Sequence, residues 1–388
     1  MNGPWSRALP AVAVASALCA CSNGAPSETP PGAPQFAREA MGEIADALTH
    51  ALPLSLREDQ LDDPRSREAY GASIATLAHD AARLEAHGRS REASFGYLSG
   101  SLARDASEAL RRFEAGRSGE SQFFVRELVN DCVACHSRLP GPEGSALGAR
   151  LLRRARMDEI DPTERARLQV ATRQFDAALE TFESVFRDAR VPPGRLDLEG
   201  ELVDYLTVCI RVREDLRRPQ APLEQLAARP DVPEYLAEDL AAWLAALRRL
   251  DRTPRSGALL AEARALLADA GAFDADAIDR RGLVQEILAS SLLHRFLASG
   301  DRSAAELAEA YYLLGLAETR VRHSSWLAEA EFQLETAIRT DPASPWAKRA
   351  FVLLEEETLA GYSGSGGLHL PDDVRAKLDE LRGLVGEN

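Results

Sequence analysis

The sequence predicts an all-α protein, a four-helix bundle followed by a longer run of helix pairs, and three observations predict it. Ala, Leu, Arg and Glu dominate the 388 residues while Ile occurs seven times, which favours helix over strand. From Phe36 onward apolar residues recur at spacings of three and four, the period of an amphipathic helix. Breaks at Pro53, Gly88, Gly116 and Pro140–Gly141 then cut the first stretch into four segments with short connections, as an up-and-down bundle requires. The chain is too long for one small core. It divides into residues 1–20, a leader; 21–35, a tether; 36–146, the bundle; and 147–388, the helix-pair region.

Residues 1–20 carry Arg7 and then an apolar stretch, Ala8 to Ala20, that is interrupted by Pro10 and too short to span a bilayer. The stretch ends Leu18, Cys19, Ala20, Cys21, which resembles a bacterial lipobox whose last sulfur receives diacylglycerol. An ordinary secretory cut after Ala20 is disfavoured, because Leu18 stands where that peptidase wants a small residue. Lipid on Cys21 implies stable anchoring, since two or more acyl chains act together. Ser22 rather than Asp follows, resembling the outer-membrane sorting pattern of Gram-negative lipoproteins, so the protein is expected on the periplasmic side of the envelope. The Pro-, Gly- and Ser-rich stretch Ser22 to Gln35 reads as a disordered tether with a reach of roughly 20 Å.

Charge excludes one class of partner. Lys plus Arg number 46 and Asp plus Glu 61, a balance of −15, and the arginines are scattered among acids rather than gathered in a stripe. Nucleic-acid binding is not expected. Five cysteines each receive a separate fate: Cys19 leaves with the leader, Cys21 is lipidated, Cys132 and Cys135 form a pair, and Cys209 sits in the apolar run Leu206 to Val212 as a buried thiol. No disulfide framework follows.

The four bundle segments read in order. The first carries Ala37, Met41, Ile44 and Leu48; the second Tyr70, Ile74, Leu77, Ala81 and Leu84; the third, capped by Ser90, carries Phe95, Leu98, Leu102, Leu110 and Phe113. The fourth, from about Ser118, brings Phe124, Leu128, Cys132 and Cys135 to one face. It contains Cys132-Val133-Ala134-Cys135-His136, the C-x-x-C-H pattern of c-type haem attachment. Helical spacing puts both thiols and the imidazole on one face, so the thiols reach the porphyrin vinyl groups while His136 takes the iron. No second Cys/His pair stands nearby to complete a zinc site, and no βαβ pattern supports a thioredoxin-like site. An exported chain meets the compartment where haem c is attached.

Helix order and motif position make residues 36–141 resemble the class II c-type cytochromes, the cytochrome c-prime and c556 family, over little more than a quarter of the chain. The resemblance implies a four-helix bundle with C-x-x-C-H at the end of its last helix and a distal residue from the first. That residue would be Met41, with Arg38 one turn earlier in the position of a propionate contact. Alternatives stay open: an open, five-coordinate iron, or another side chain such as His87 or Met157. His50 and His79 fall opposite the apolar stripes.

Beyond Gly148, Phe175, Ala178, Leu179, Phe182 and Val185 resemble the second helix of a tetratricopeptide repeat. Tyr311, Leu314 and Gly315 match its first helix and Ala330, Leu334, Ala337 and Pro342 its second, with extra residues between them. The region from Pro192 to Gly300 reads as loose, so the array is TPR-like rather than regular. Stacked pairs leave a concave face that commonly holds a protein. Trp243, Trp326 and Trp346 are expected in the core, Gly361 to Pro371 as a flexible loop, and His294, His323 and His369 have no motif context. No hydrolytic constellation appears. The expected function is electron transfer with a redox protein partner rather than enzymatic catalysis; the alternatives are gas binding at an open iron, and a scaffold lipoprotein with a structural haem.

Overall fold

The computed structural model describes residues 33–56, 58–89, 91–138, 140–141, 144, 146–154, 160–198, 200–272, 279–321, 329–365 and 367–386. Cys21, Met157, His323 and Trp326 lie outside them. The protein is all-α: among the described residues the sole strands are a two-residue hairpin, Ser363–Gly364 against Gly367–Leu368, standing where a flexible loop is expected.

Helices α1 (Ala33–Ser55), α2 (Pro64–Gly88), α3 (Ala93–Glu114) and α4 (Ser118–His136) pack in sequence, and α4 closes on α1. Ile44, Leu48, Leu52, Tyr70, Ile74, Leu77, Leu102, Val125 and Leu128 fill the centre. Two boundaries differ from the sequence reading for identifiable reasons. Helix α1 starts at Ala33, three residues before Phe36, and runs past Pro53. The last carbonyls of a helix have no intrahelical donor, and α4 answers two of them: Gln122 donates to Leu54 O at 2.8 Å and Arg126 to Ser55 O at 2.5 Å. The cap of α3 is Glu92 instead of Ser90, which lies outside the described residues. Its carboxylate accepts from the backbone N–H of Ser94 and Phe95, at 2.9 and 3.2 Å.

Helix α5 (Ala146–Arg154) lies on α1, with Leu151 and Leu152 joining the bundle core, and α6 (Pro162–Ala171) lies on α4. Packing is therefore continuous across residue 146. Then come α7 (Phe175–Arg187), α8 (Pro193–Leu198), α9 (Glu201–Thr207), a π-helical turn Val208–Val212, α10 (Gln220–Ala227), α11 (Glu234–Asp251), α12 (Leu259–Asp269) and α13 (Leu283–Leu297). The region read as loose is thus helical. Helices α9 and α13 are buried nearly all round, so no polar face marks them, whereas α11 buries Leu236, Leu240, Trp243 and Leu247 on one face. Last come α14 (Ala304–Val321), α15 (Glu329–Thr340), α16 (Pro345–Gly361) and α17 (Asp372–Leu384). Helices α14 and α15 approach closely at Gly315, where a Cβ would lie 2.7 Å from the Leu334 side chain.

A line of buried charge joins the bundle to the array. Arg138, two residues past α4, donates to His294 Nδ1 on α13 at 3.0 Å, and His294 Nε2 lies 3.7 Å from Glu318 on α14. Glu318 is held by Arg211 at 2.8 Å and by Ser290 at 2.5 Å. At the other end Tyr311 donates to Glu92 at 3.2 Å. Burial alone would raise the Glu92 pKa, but the Arg138 charge and the Ser94 hydrogen bonds outweigh it and hold the carboxylate ionised. Burial also pushes the His294 pKa down, reinforced by the Arg138 charge, so its ring is neutral. Arg211→Met leaves Glu318 buried with its Ser290 hydrogen bond but without the arginine charge, and is expected to destabilise the fold by about 3 kcal/mol in denaturant unfolding; a change within about 0.5 kcal/mol would show the pair to be solvated.

Candidate functional site

Helix α4 meets the end of α1 through Gln122, which donates to Leu54 O. Met41 and Cys132 both lie at the margin of the bundle core, as do Ala37 and Phe95. Arg38, on the same turn region of α1, is exposed. His50 and His79 are exposed, as expected, while His87 is half-buried with its ring 5.4 Å from that of Phe36. Helix α4 divides its faces. Leu128 and Cys132 serve the bundle; Val129 and Val133 pack on the array's core.

His136 turns toward the end of α6. That helix begins with Asp161 as cap, accepting from Thr163 N at 2.9 Å, and Pro162 in its first turn. It ends in a left-handed residue, Arg173, at φ 61°. Arg173 N donates to Val170 O at 2.9 Å, Gln174 N to Gln169 O at 2.7 Å and Thr172 N to Leu168 O at 3.0 Å. The last carbonyl, Ala171 O, is taken by His136 Nδ1 at 2.7 Å. A carbonyl can only accept, so Nδ1 carries the proton and Nε2 keeps its lone pair. Burial, and then the neighbouring Arg173 charge, push the His136 pKa down to about 4 despite that hydrogen bond. The ring is neutral at physiological pH and held in one orientation. The chain after α4 seals this turn, since Gly144 N donates to Arg173 O at 2.7 Å and a Cβ at Gly144 would lie 2.2 Å from Thr172 O.

Cys132 and Cys135 are free and half-buried. Burial raises both thiol pKa values, so both hold their protons. A redox-active C-x-x-C pair has the opposite bias, toward thiolate. Asp131 faces α3, where burial and the Asp105 charge hold its carboxyl well above the usual carboxylate range. Among the described residues no group of three or more His, Cys, Asp or Glu side chains is arranged to hold a bare metal ion. Cys132, Cys135 and His136 could instead hold a porphyrin, which needs two thiols at its edge and one imidazole at its centre.

Elsewhere, Cys209 and Trp243 are buried as expected, and Trp346 is half-buried and stacked on Tyr312 at 5.7 Å. His294, read as lacking context, belongs to the buried charge line. A cleft of about 480 Å³ opens on the array, floored by Ile210, Leu250 and Leu292 and rimmed by the Arg217–Asp251 and Arg295–Glu214 ion pairs; it shares no residue with the C-x-x-C-H turn. Among the described residues no helix is long and apolar enough to cross a membrane. Comparison with protein-family models, with characterised proteins and with solved structures finds no match.

Asp131 supplies a pH test. Its pKa is higher folded than unfolded, so between the two values the folded state keeps a proton that the unfolded state has lost, and stability falls as pH rises through that interval. Asp131→Asn is expected to match the parent protein in acid and to become progressively more stable than it as pH climbs from about 4 into the alkaline range. Urea midpoints across a pH series check this; parallel curves would contradict it.

Proposed function

We propose that the chain is an exported, lipid-anchored carrier of one covalently bound haem c that passes electrons to or from a protein partner. The observation that carries the reading is the His136 Nδ1 hydrogen bond to Ala171 O within a C-x-x-C-H turn, because it leaves Nε2 free and the ring neutral. In this reading Cys132 and Cys135 would hold the haem through two thioethers and His136 would bind its iron through Nε2. Met41, at the margin of the same bundle core as Cys132, would be the second iron ligand. The haem supplies one-electron chemistry when bound. The chain orients it, shields it from water and fixes its ligands. A Met/His pair favours the reduced state.

The remaining parts have roles in the same reading. Cys21 carries the lipid and the segment up to Ala33 is the tether, which places the protein on the periplasmic side of the envelope, held at the outer membrane. Arg38 serves a propionate. The helix-pair region, TPR-like in its α14–α15 pair, docks the redox partner, and its buried connection to Arg138 fixes that docking face relative to the motif. The protein acts as a carrier, not as an enzyme.

Carbon monoxide tests the ligand pair. The reduced protein at neutral pH is expected not to bind it promptly. Met41→Ala is expected to bind it stoichiometrically and to show a lower reduction potential, since thioether ligation raises the potential. Immediate stoichiometric binding by the parent protein would favour an open iron and gas binding.

A further inference from the structure

Arg173 stands where a helix end ordinarily has glycine. Its φ of 61° lies in the left-handed region, which glycine enters freely and a side chain enters at a cost. The side chain kept there is packed into place rather than left to solvent. A Cβ at Gly141 would meet its Nη2 at 1.8 Å, its Cζ lies 6.0 Å from the Phe175 ring centroid, and its Nε is buried with no hydrogen-bond partner. Two residues earlier, Ala171 O accepts the hydrogen bond from His136 Nδ1. Among the other charged groups near the motif, Arg138 acts on Glu92 and donates to His294, the Asp131 carboxyl is protonated, and the Glu329 carboxylate acts on Cys135. Among the described residues no carboxylate is within ion-pair distance of Arg173.

We propose that Arg173 is a positioning residue that sets the reduction potential: from the left-handed turn after α6 it presents an unanswered positive charge to the His136 side of the site. This rests on the haem reading above. Oxidation adds one positive charge to the bound group, and a fixed cation nearby, in a partly dry setting, disfavours that state. This role also accounts for arginine at a position whose backbone suits glycine.

The test is a redox titration of the full-length, exported holoprotein carrying Arg173→Gly, Arg173→Gln or Arg173→Lys. Glycine fits the turn without strain, so Arg173→Gly is expected to unfold within a few degrees of the parent protein; Arg173→Gln removes the charge while keeping a side chain. Both neutral variants are expected to titrate at a lower potential than the parent, and Arg173→Lys to keep most of the parent value. Neutral variants with covalent haem and the parent potential would overturn the proposal, as would a lysine variant that falls as far as they do. A parent protein without covalent haem would overturn the underlying reading instead, which separates the two failures.

Discussion

One hydrogen bond organises the site, from His136 Nδ1 to Ala171 O. It meets two needs together. Helix α6 ends with a carbonyl that its own turn cannot use, and an imidazole that is to bind through Nε2 needs its other nitrogen held. Cap, left-handed turn and overlying loop all serve to keep that carbonyl in place: Arg173 reverses the chain, and Gly144 lets the segment after α4 lie against it. The motif is therefore completed by a helix that follows the four-helix bundle in sequence, and α5 and α6 act as walls of the site.

The connection to the array has the same character. Arg138, His294, Glu318 and Arg211 are buried together, and Glu92 caps α3 while facing Arg138. Burying such groups costs desolvation, and the cost is offset only when every member has its partner. An apolar contact tolerates sliding; a line of paired charges does not. The bundle and the array thus meet in one register, with the C-x-x-C-H turn at one end of the line and α14 at the other. In the electron-transfer reading this fixes how a docked partner faces the motif.

Much of the bundle was legible from periodicity. The stripes through Ile44, Ile74, Leu102 and Leu128 became its core, His50 and His79 pointed outward, and Cys209 and Trp243 were buried. The boundaries of α8, α9 and α13 were not legible, because short or wholly buried helices have no polar face to set a period. Helix α1 ends two residues past Pro53, and the side chains that satisfy its last carbonyls come from α4. At the site, Cys132, Cys135 and His136 were legible as a local motif. Their supports were not. Ala171 acts through a backbone carbonyl 35 residues away, which no side chain announces, and His294 meets Arg138 across 156 residues. Arg173 did carry a faint signal, a Thr-Arg-Gln break between two amphipathic stretches, but a left-handed arginine cannot be told from an ordinary loop residue without its dihedral.

The central claim is that two thiols and an imidazole at the end of α4 hold a porphyrin covalently. Acid acetone extraction of the purified mature protein, followed by a denaturing gel stained for haem peroxidase activity, measures this most directly. The account predicts colour that stays with the polypeptide and disappears in a Cys132→Ser/Cys135→Ser double variant. Colour that extracts into the solvent, or a protein that carries none after export in a host that attaches haem c, would contradict it.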